Sequence, residues 1–139
     1  MTQEEKQLLL QDLSARLPYG VSCIGITYEL DDDGERYIPV KVKDTLTEIH
    51  NYKLETASVR LGLISSCRLE TVKPYLRPMS DMTEEERQEY LAECDKDDED
   101  SITTPRYHGI DWLNKKMFDY RGLIPMGLAL DAPNDMYKI

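Results

Sequence analysis

The sequence predicts an α+β fold: a small antiparallel sheet of four to five strands, with an N-terminal helix before it and two helices after it. Three observations predict it. Leucines recur at helical spacing behind a capping signal near the start; the stretch from Val21 to Tyr75 is rich in β-branched residues and broken by turn formers; and residues 83–118 return to caps and helical spacing. Both an open sheet and a barrel-like one fit these signals.

Thr2 and Glu5 form a T-x-x-E capping box, and Leu9, Leu10, Leu13 and Leu17 follow on one helical face, so the first helix is expected over about residues 2–17, stopped by Pro18 and Gly20. From Val21 the pattern turns to strand. "VSCIGITYEL" and "ERYIPVKVK" flank Asp33-Gly34, a hairpin signal of the type I′ kind. Pro39 has no N–H to give, which places its part of the second strand at an edge or bulge. "LTEIHNY", "ASVRLGLIS" and "CRLETVKPY" read as three further short strands. Pro74 and Pro78 frame "KPYLRP" as a rigid, extended strap from sheet to helix.

Ser80 or Thr83 caps a second helix, Thr83 with Glu86 repeating the capping-box spacing, and its apolar positions are few, Tyr90, Leu91 and Cys94. An acidic, mobile loop is expected at about residues 95–108, then a third helix over about 109–118 carrying Ile110, Leu113 and Met117 on one face. A short apolar strand around Leu128 to Leu130 precedes a polar tail.

The chain has 139 residues, a length that fits one domain spanning 1–139. Its net charge of −10 is concentrated: residues 81–100 hold eleven acids and two bases, and the remainder is close to neutral at −1. One charged segment fits a solvated helix and loop better than an acidic surface that mimics nucleic acid. No apolar run approaches the roughly 20 residues that span a bilayer, and the N-terminus is acidic where a signal peptide is basic. These features argue against a membrane-spanning helix and make the cytoplasm the default location. Cys23, Cys67 and Cys94 form no CxxC pair, so buried free thiols are expected rather than a disulfide framework or a zinc knuckle.

No catalytic constellation is complete. An EF-hand frame starting at Glu29 supplies Asp31, Asp33 and Gly34 but ends on Val40; one starting at Asp95 lacks both the glycine and the closing glutamate. The only imidazoles, His50 and His108, lie in polar stretches away from the strand that holds Cys23. There is no GxSxG and no glycine-rich phosphate loop. Hence no catalytic residue, no metal site and no cofactor is assigned.

The most distinctive polar–aromatic group joins "KPYLRP" to "DWLNKKMFDYRGL". Tyr75, Arg77, Trp112, Tyr120 and Arg121 have the composition of a protein-binding hot spot. The competing reading is a core in which Trp112 and Phe118 are anchors, Tyr75 and Tyr120 hydrogen-bond at the edge, and Asp119 pairs with Arg121 to hold a turn. The expected partner is a protein. Single-stranded nucleic acid, held by aromatics on the sheet and by Arg60, Arg68, Lys73 and Arg77, is the alternative, disfavoured by the net acidic field.

Three blocks, "LLLQDLSARLPYGV", "KPYLRPMSDMTEEE" and "IDWLNKKMFDYRGLIPMGLALDAP", cover about half of the chain. Together they resemble a group of small uncharacterised proteins encoded in phages and prophage-like elements of gut Bacteroidetes. That resemblance implies a phage-type accessory role and carries over no activity, fold or site residue. Residues 26–68 lie between the blocks and are outside the resemblance.

Overall fold

The computed structural model describes residues 1–51, 53–99 and 108–137. The fold is α+β, built on an open six-stranded sheet. Helix α1 spans Gln3–Arg16, β1 Ser22–Leu30, β2 Tyr37–His50, β3 Ser58–Leu61, β4 Ser65–Arg68 and β5 Lys73–Leu76. Helices α2, Glu84–Glu99, and α3, His108–Lys115, follow, and β6 is the dipeptide Leu130–Asp131. The strand order is β4-β3-β2-β1-β5-β6, antiparallel except for the β5–β6 pair.

Both capping boxes form. In α1 the Thr2 hydroxyl accepts from Glu5 N at 3.1 Å and Glu5 Oε1 accepts from Thr2 N at 2.9 Å. At α2, Thr83 Oγ1 and Glu86 Oε1 make the same exchange, both at 3.1 Å. Each helix start therefore satisfies two backbone donors locally before any tertiary contact is made. Helix α2 runs on through residues expected to be loop, up to Glu99, because "AECDKDDE" contains no glycine or proline to end it. The rest of the expected acidic loop, residues 100–107, lies outside the described residues.

The sheet departs from expectation in four places. The β1–β2 connection is six residues long rather than a two-residue type I′ turn: Asp31 Oδ1 accepts from Glu35 N and Arg36 N, and Gly34 alone in it has positive φ, at 72°. "LTEIHNY" is no separate strand but the second half of β2, which shifts register between Leu46 and Glu48 and continues to His50. "ASVRLGLIS" folds back on itself at Gly62, whose φ of 67° suits glycine, so β3 and β4 form a tight hairpin. "CRLETVKPY" is split by a single helical turn at Leu69–Thr71 into the end of β4 and the start of β5, and β5 pairs with β1 through Cys23↔Pro74 and Ile24↔Lys73, so "KPYL" is strand as that stretch predicted and not a free strap.

The main core lies between α1, the concave face of the sheet and the C-terminal segment. It gathers Leu9, Leu13, Val21, Cys23, Leu46, Val59, Leu61, Cys67, Leu69, Val72, Leu76, Met117, Leu123 and Leu128. The sheet curls enough to bring β4 over β1: a Cβ added at Gly25 would meet Cys67 Sγ at 2.9 Å and Leu61 Cδ1 at 3.3 Å. Gly25 is thus required by close approach between strands rather than by a turn. A smaller cluster of Trp112, Leu113 and Phe118, flanked by Met82, Tyr90 and Tyr120, attaches α2 and α3 to the body.

Candidate interaction surface

Four of the five residues expected at a binding site are held in structural contacts. Trp112 is only 8% exposed, with its ring centroid 5.7 Å from that of Tyr90 and stacked 5.8 Å from that of Phe118. Arg77 lays its guanidinium 4.2 Å from the centroid of Phe118 and grips Glu86 through two bonds of 2.7 and 2.8 Å. That pair draws the Glu86 carboxyl down to about 2, chiefly through the hydrogen bonds from Arg77. Tyr120 donates its hydroxyl to Asn114 Oδ1 at 2.9 Å.

Arg121 does not pair with Asp119. It reaches 2.8 Å to Oδ1 of Asp12 on α1, while Asp119 accepts from Leu123 N and Ile124 N and so closes the turn by itself. Asp12 and Arg16 have fully buried side chains. Arg16 donates to both oxygens of Asp12, at 2.9 and 3.1 Å, and to the Phe118 carbonyl at 2.7 Å. One carboxylate therefore serves two arginines, and Arg16 Nη1 is the one buried side-chain polar atom with no partner among the described residues. The guanidinium carbons of Arg16 and Arg121 lie 5.5 and 4.6 Å from the centroid of the Tyr120 ring. The arrangement bolts α1 to the C-terminal segment more than a hundred residues away.

Tyr75 alone of the five sits elsewhere, on the outer face of the sheet. Residues opposite each other in an antiparallel pair share a face, and faces alternate along a strand. The pairs Ile24↔Lys43, Ile26↔Lys41, Tyr28↔Pro39 and Leu30↔Tyr37 thus line one face, which Lys73 opposite Ile24 extends onto β5. Tyr75 joins it, with the Lys43 ammonium 4.9 Å from its ring centroid. The opposite face carries Cys23 and Gly25 into the core.

This outer face runs out onto a free arm. Strand β3 is paired with β2 only from Leu46 onward, and β5 with β1 only at Cys23 and Ile24. Beyond those points β1 and β2 continue as a two-stranded ribbon with no third strand among the described residues. Near its end Tyr28 is 55% exposed, Leu30 53% and Tyr37 70%. Single exposed apolar residues are ordinary, whereas three adjoining ones on one face of a projecting ribbon form a patch. The tip beyond them is acidic, with Asp31, Asp32, Asp33 and Glu35 against Arg36. Apart from the arm, the β3–β4 turn exposes Leu63 and Ile64, both about 90%.

Sequence reasoning passed over this patch, although its signal was present. "ITYEL" alternates apolar and polar residues, and pairing it with "YIPV" across a polar turn brings Tyr28, Leu30 and Tyr37 to one face.

A cleft of about 770 Å³ lies between the start of α2, the end of α3 and the C-terminal segment, lined by Tyr19, Arg77, Glu86, Lys115, Lys116 and Tyr137, among others. Its central ion pair, Arg77–Glu86, neutralises itself. Tyr137 is engaged with the Ser22 amide at 3.0 Å and the Tyr75 carbonyl at 2.6 Å, and burial raises its hydroxyl to about 12. Burial likewise raises the Cys23 and Cys67 thiols, which keeps both protonated and poor as nucleophiles. His50 is spoken for by Glu48 at 3.2 Å. Among the described residues no cluster of three or more His, Cys, Asp or Glu is arranged to hold a metal ion, and no helix is long and apolar enough to cross a membrane.

Comparison with protein-family models, with curated proteins and with solved structures returns no match.

Proposed function

We propose that this chain is a phage-type accessory protein that acts by binding a protein, and that the outer face of the β1–β2 arm is where it binds. One observation carries the reading: the exposed Tyr28–Leu30–Tyr37 patch on a ribbon that projects beyond the rest of the sheet. The ribbon contributes little to the main core at its outer end, so its apolar residues gain nothing for folding by facing solvent. Aromatic side chains presented on a stiff two-stranded support suit an interface, because little side-chain freedom is lost when they are covered. The Trp112–Arg77 group then supports the scaffold rather than the contact.

The test is affinity capture from infected or lysogenic cells with the wild-type chain and with Tyr28→Ser/Leu30→Ser/Tyr37→Ser. The reading expects an equally folded variant that loses the captured protein. Equal capture by both would refute it.

Single-stranded nucleic acid is the second reading, favoured by Lys41, Lys43 and Lys73 lying on the same face as Tyr28, Tyr37 and Tyr75. The acidic tip opposes it. Fluorescence anisotropy with labelled DNA and RNA over a salt series decides: absence of binding at low salt ends this reading.

A further inference from the structure

We infer that the partner accommodated by the arm is a second copy of this chain, packed face to face with the ribbons running in opposite directions. The inference rests on the arm being the binding surface, as proposed above. It is carried by the order of charges along the arm, from its base to the turn at its tip. The lysines stand at the base, with Lys43 opposite Ile24 and Lys41 opposite Ile26. The apolar patch of Tyr28, Leu30, Tyr37 and Pro39 comes next. The acids Asp31, Asp32 and Asp33 close the tip.

A surface that is positive at one end, apolar in the middle and negative at the other is complementary to itself when reversed. A twofold axis lying between the two faces and crossing the ribbons near Tyr28 and Leu30 does this reversal. It lays apolar patch on apolar patch, sets Asp31 to Asp33 of each copy over Lys41 and Lys43 of the other, and makes both ends favourable at once, as an isologous contact requires. Parallel stacking would set lysine on lysine and acid on acid, so the charges also choose the direction.

The size of the face sets the strength. Eight residues from Ile24 to the tip extend about 25 Å, and two strands with their side chains are about 15 Å wide. Two copies would together cover on the order of 800 Å², which belongs to weak, reversible contacts. Self-association is therefore expected at high protein concentration, with a dissociation constant of about 100 μM to 1 mM, and is expected to weaken as salt is added.

Sedimentation velocity from about 10 μM to about 1 mM is the assay, chosen to bracket weak interfaces of this size. Three samples are compared with the wild type: Lys41→Glu/Lys43→Glu, Asp32→Lys/Asp33→Lys, and an equimolar mixture of the two. Asp31 is left alone because it accepts the Glu35 and Arg36 amides. Each variant alone opposes like charges at both ends and should associate about 100-fold more weakly than the wild type. In the mixture, the arm with glutamates at its base meets the arm with lysines added at its tip, so opposite charges face each other again and association should return to about the wild-type level. That recovery also shows that neither variant is misfolded.

A wild type that stays monomeric throughout overturns the inference. So does one whose association is unchanged in both single variants, because the contact then lies elsewhere. The binding reading itself is judged separately: a different protein that the wild type captures and the triple serine variant loses would uphold the arm as a binding surface while overturning the second copy as its occupant.

Discussion

Replacing Asp12 by Asn is predicted to be among the most damaging conservative changes in this protein. Asp12 is wholly buried, accepts two bonds from Arg16 and a third from Arg121, and carries the one negative charge that these guanidinium groups share. Asn keeps the shape and removes the charge. It leaves Arg16 buried and cationic with only neutral acceptors, the Phe118 carbonyl and one amide oxygen that Arg121 also seeks, and its own amide N–H₂ turns a donor toward donors. Breaking one side of a buried ion pair costs about 3–5 kcal/mol. In a domain of this size each kcal/mol lowers the melting temperature by about 3 °C, so a fall of about 10–15 °C is expected. Arg16→Met should do less, about 1–3 kcal/mol, since it removes the unpartnered Nη1 along with the charge and leaves Asp12 its bond to Arg121. Urea unfolding followed by circular dichroism measures both, with an unchanged slope as the sign that the unfolding transition is still the same. A loss under about 1 kcal/mol for Asp12→Asn would refute the reasoning, because no buried charge would then have been stranded.

The other predictions concern the second cluster and the thiols. Glu86 has a depressed carboxyl in the folded state, so the stability contributed by the Arg77–Glu86 pair is complete above the ordinary carboxylate range and is lost as pH falls from about 4.5 through about 2. Glu86→Gln should flatten that part of the stability–pH curve, as read from urea midpoints across an acid series. Trp112→Ala should cost about 3–5 kcal/mol by emptying the space between Tyr90 and Phe118, measured by the same melts; a change under about 1 kcal/mol would return Trp112 to the list of interface candidates. A thiol reagent should label half-buried Cys94 in the native protein and reach the buried Cys23 and Cys67 only after unfolding, which mass spectrometry of the labelled peptides resolves.

What could be read from the sequence was what is decided locally. Thr2 with Glu5 and Thr83 with Glu86 announce helix starts because each capping box is closed within four residues. The β1–β2 hairpin was legible from its β-branched runs, and Pro39 was rightly placed at an edge, since it pairs with Tyr28 of β1 on one side and β3 does not reach that far along β2 on the other. Features decided by distant partners were not legible. Strand β2 runs through the polar "KDTLTE" because β3 lies beside its second half. The end of α2 was drawn too early because a run of acids resembles a solvated loop, although nothing in it breaks a helix.

The site was harder for a related reason. Trp, Tyr and Arg are favoured both in interfaces and at the margins of cores, because each couples a large apolar body to a polar end. Composition cannot separate the two uses; partners can. Arg121 is bound to a residue 109 positions earlier, and Arg77 to Glu86 across the gap between β5 and α2. Tyr75 is the member of the group left on the open face, where it meets the arm residues that composition alone did not single out.

The central claim is that the end of the β1–β2 arm serves contact and not folding. Its most direct measurement is a thermal melt of Tyr28→Ser/Leu30→Ser/Tyr37→Ser beside the wild type at low protein concentration. Three solvent-facing substitutions should move the midpoint by no more than about 3 °C. A drop of more than about 10 °C would mean that these side chains are part of what holds the protein together, and would contradict the claim.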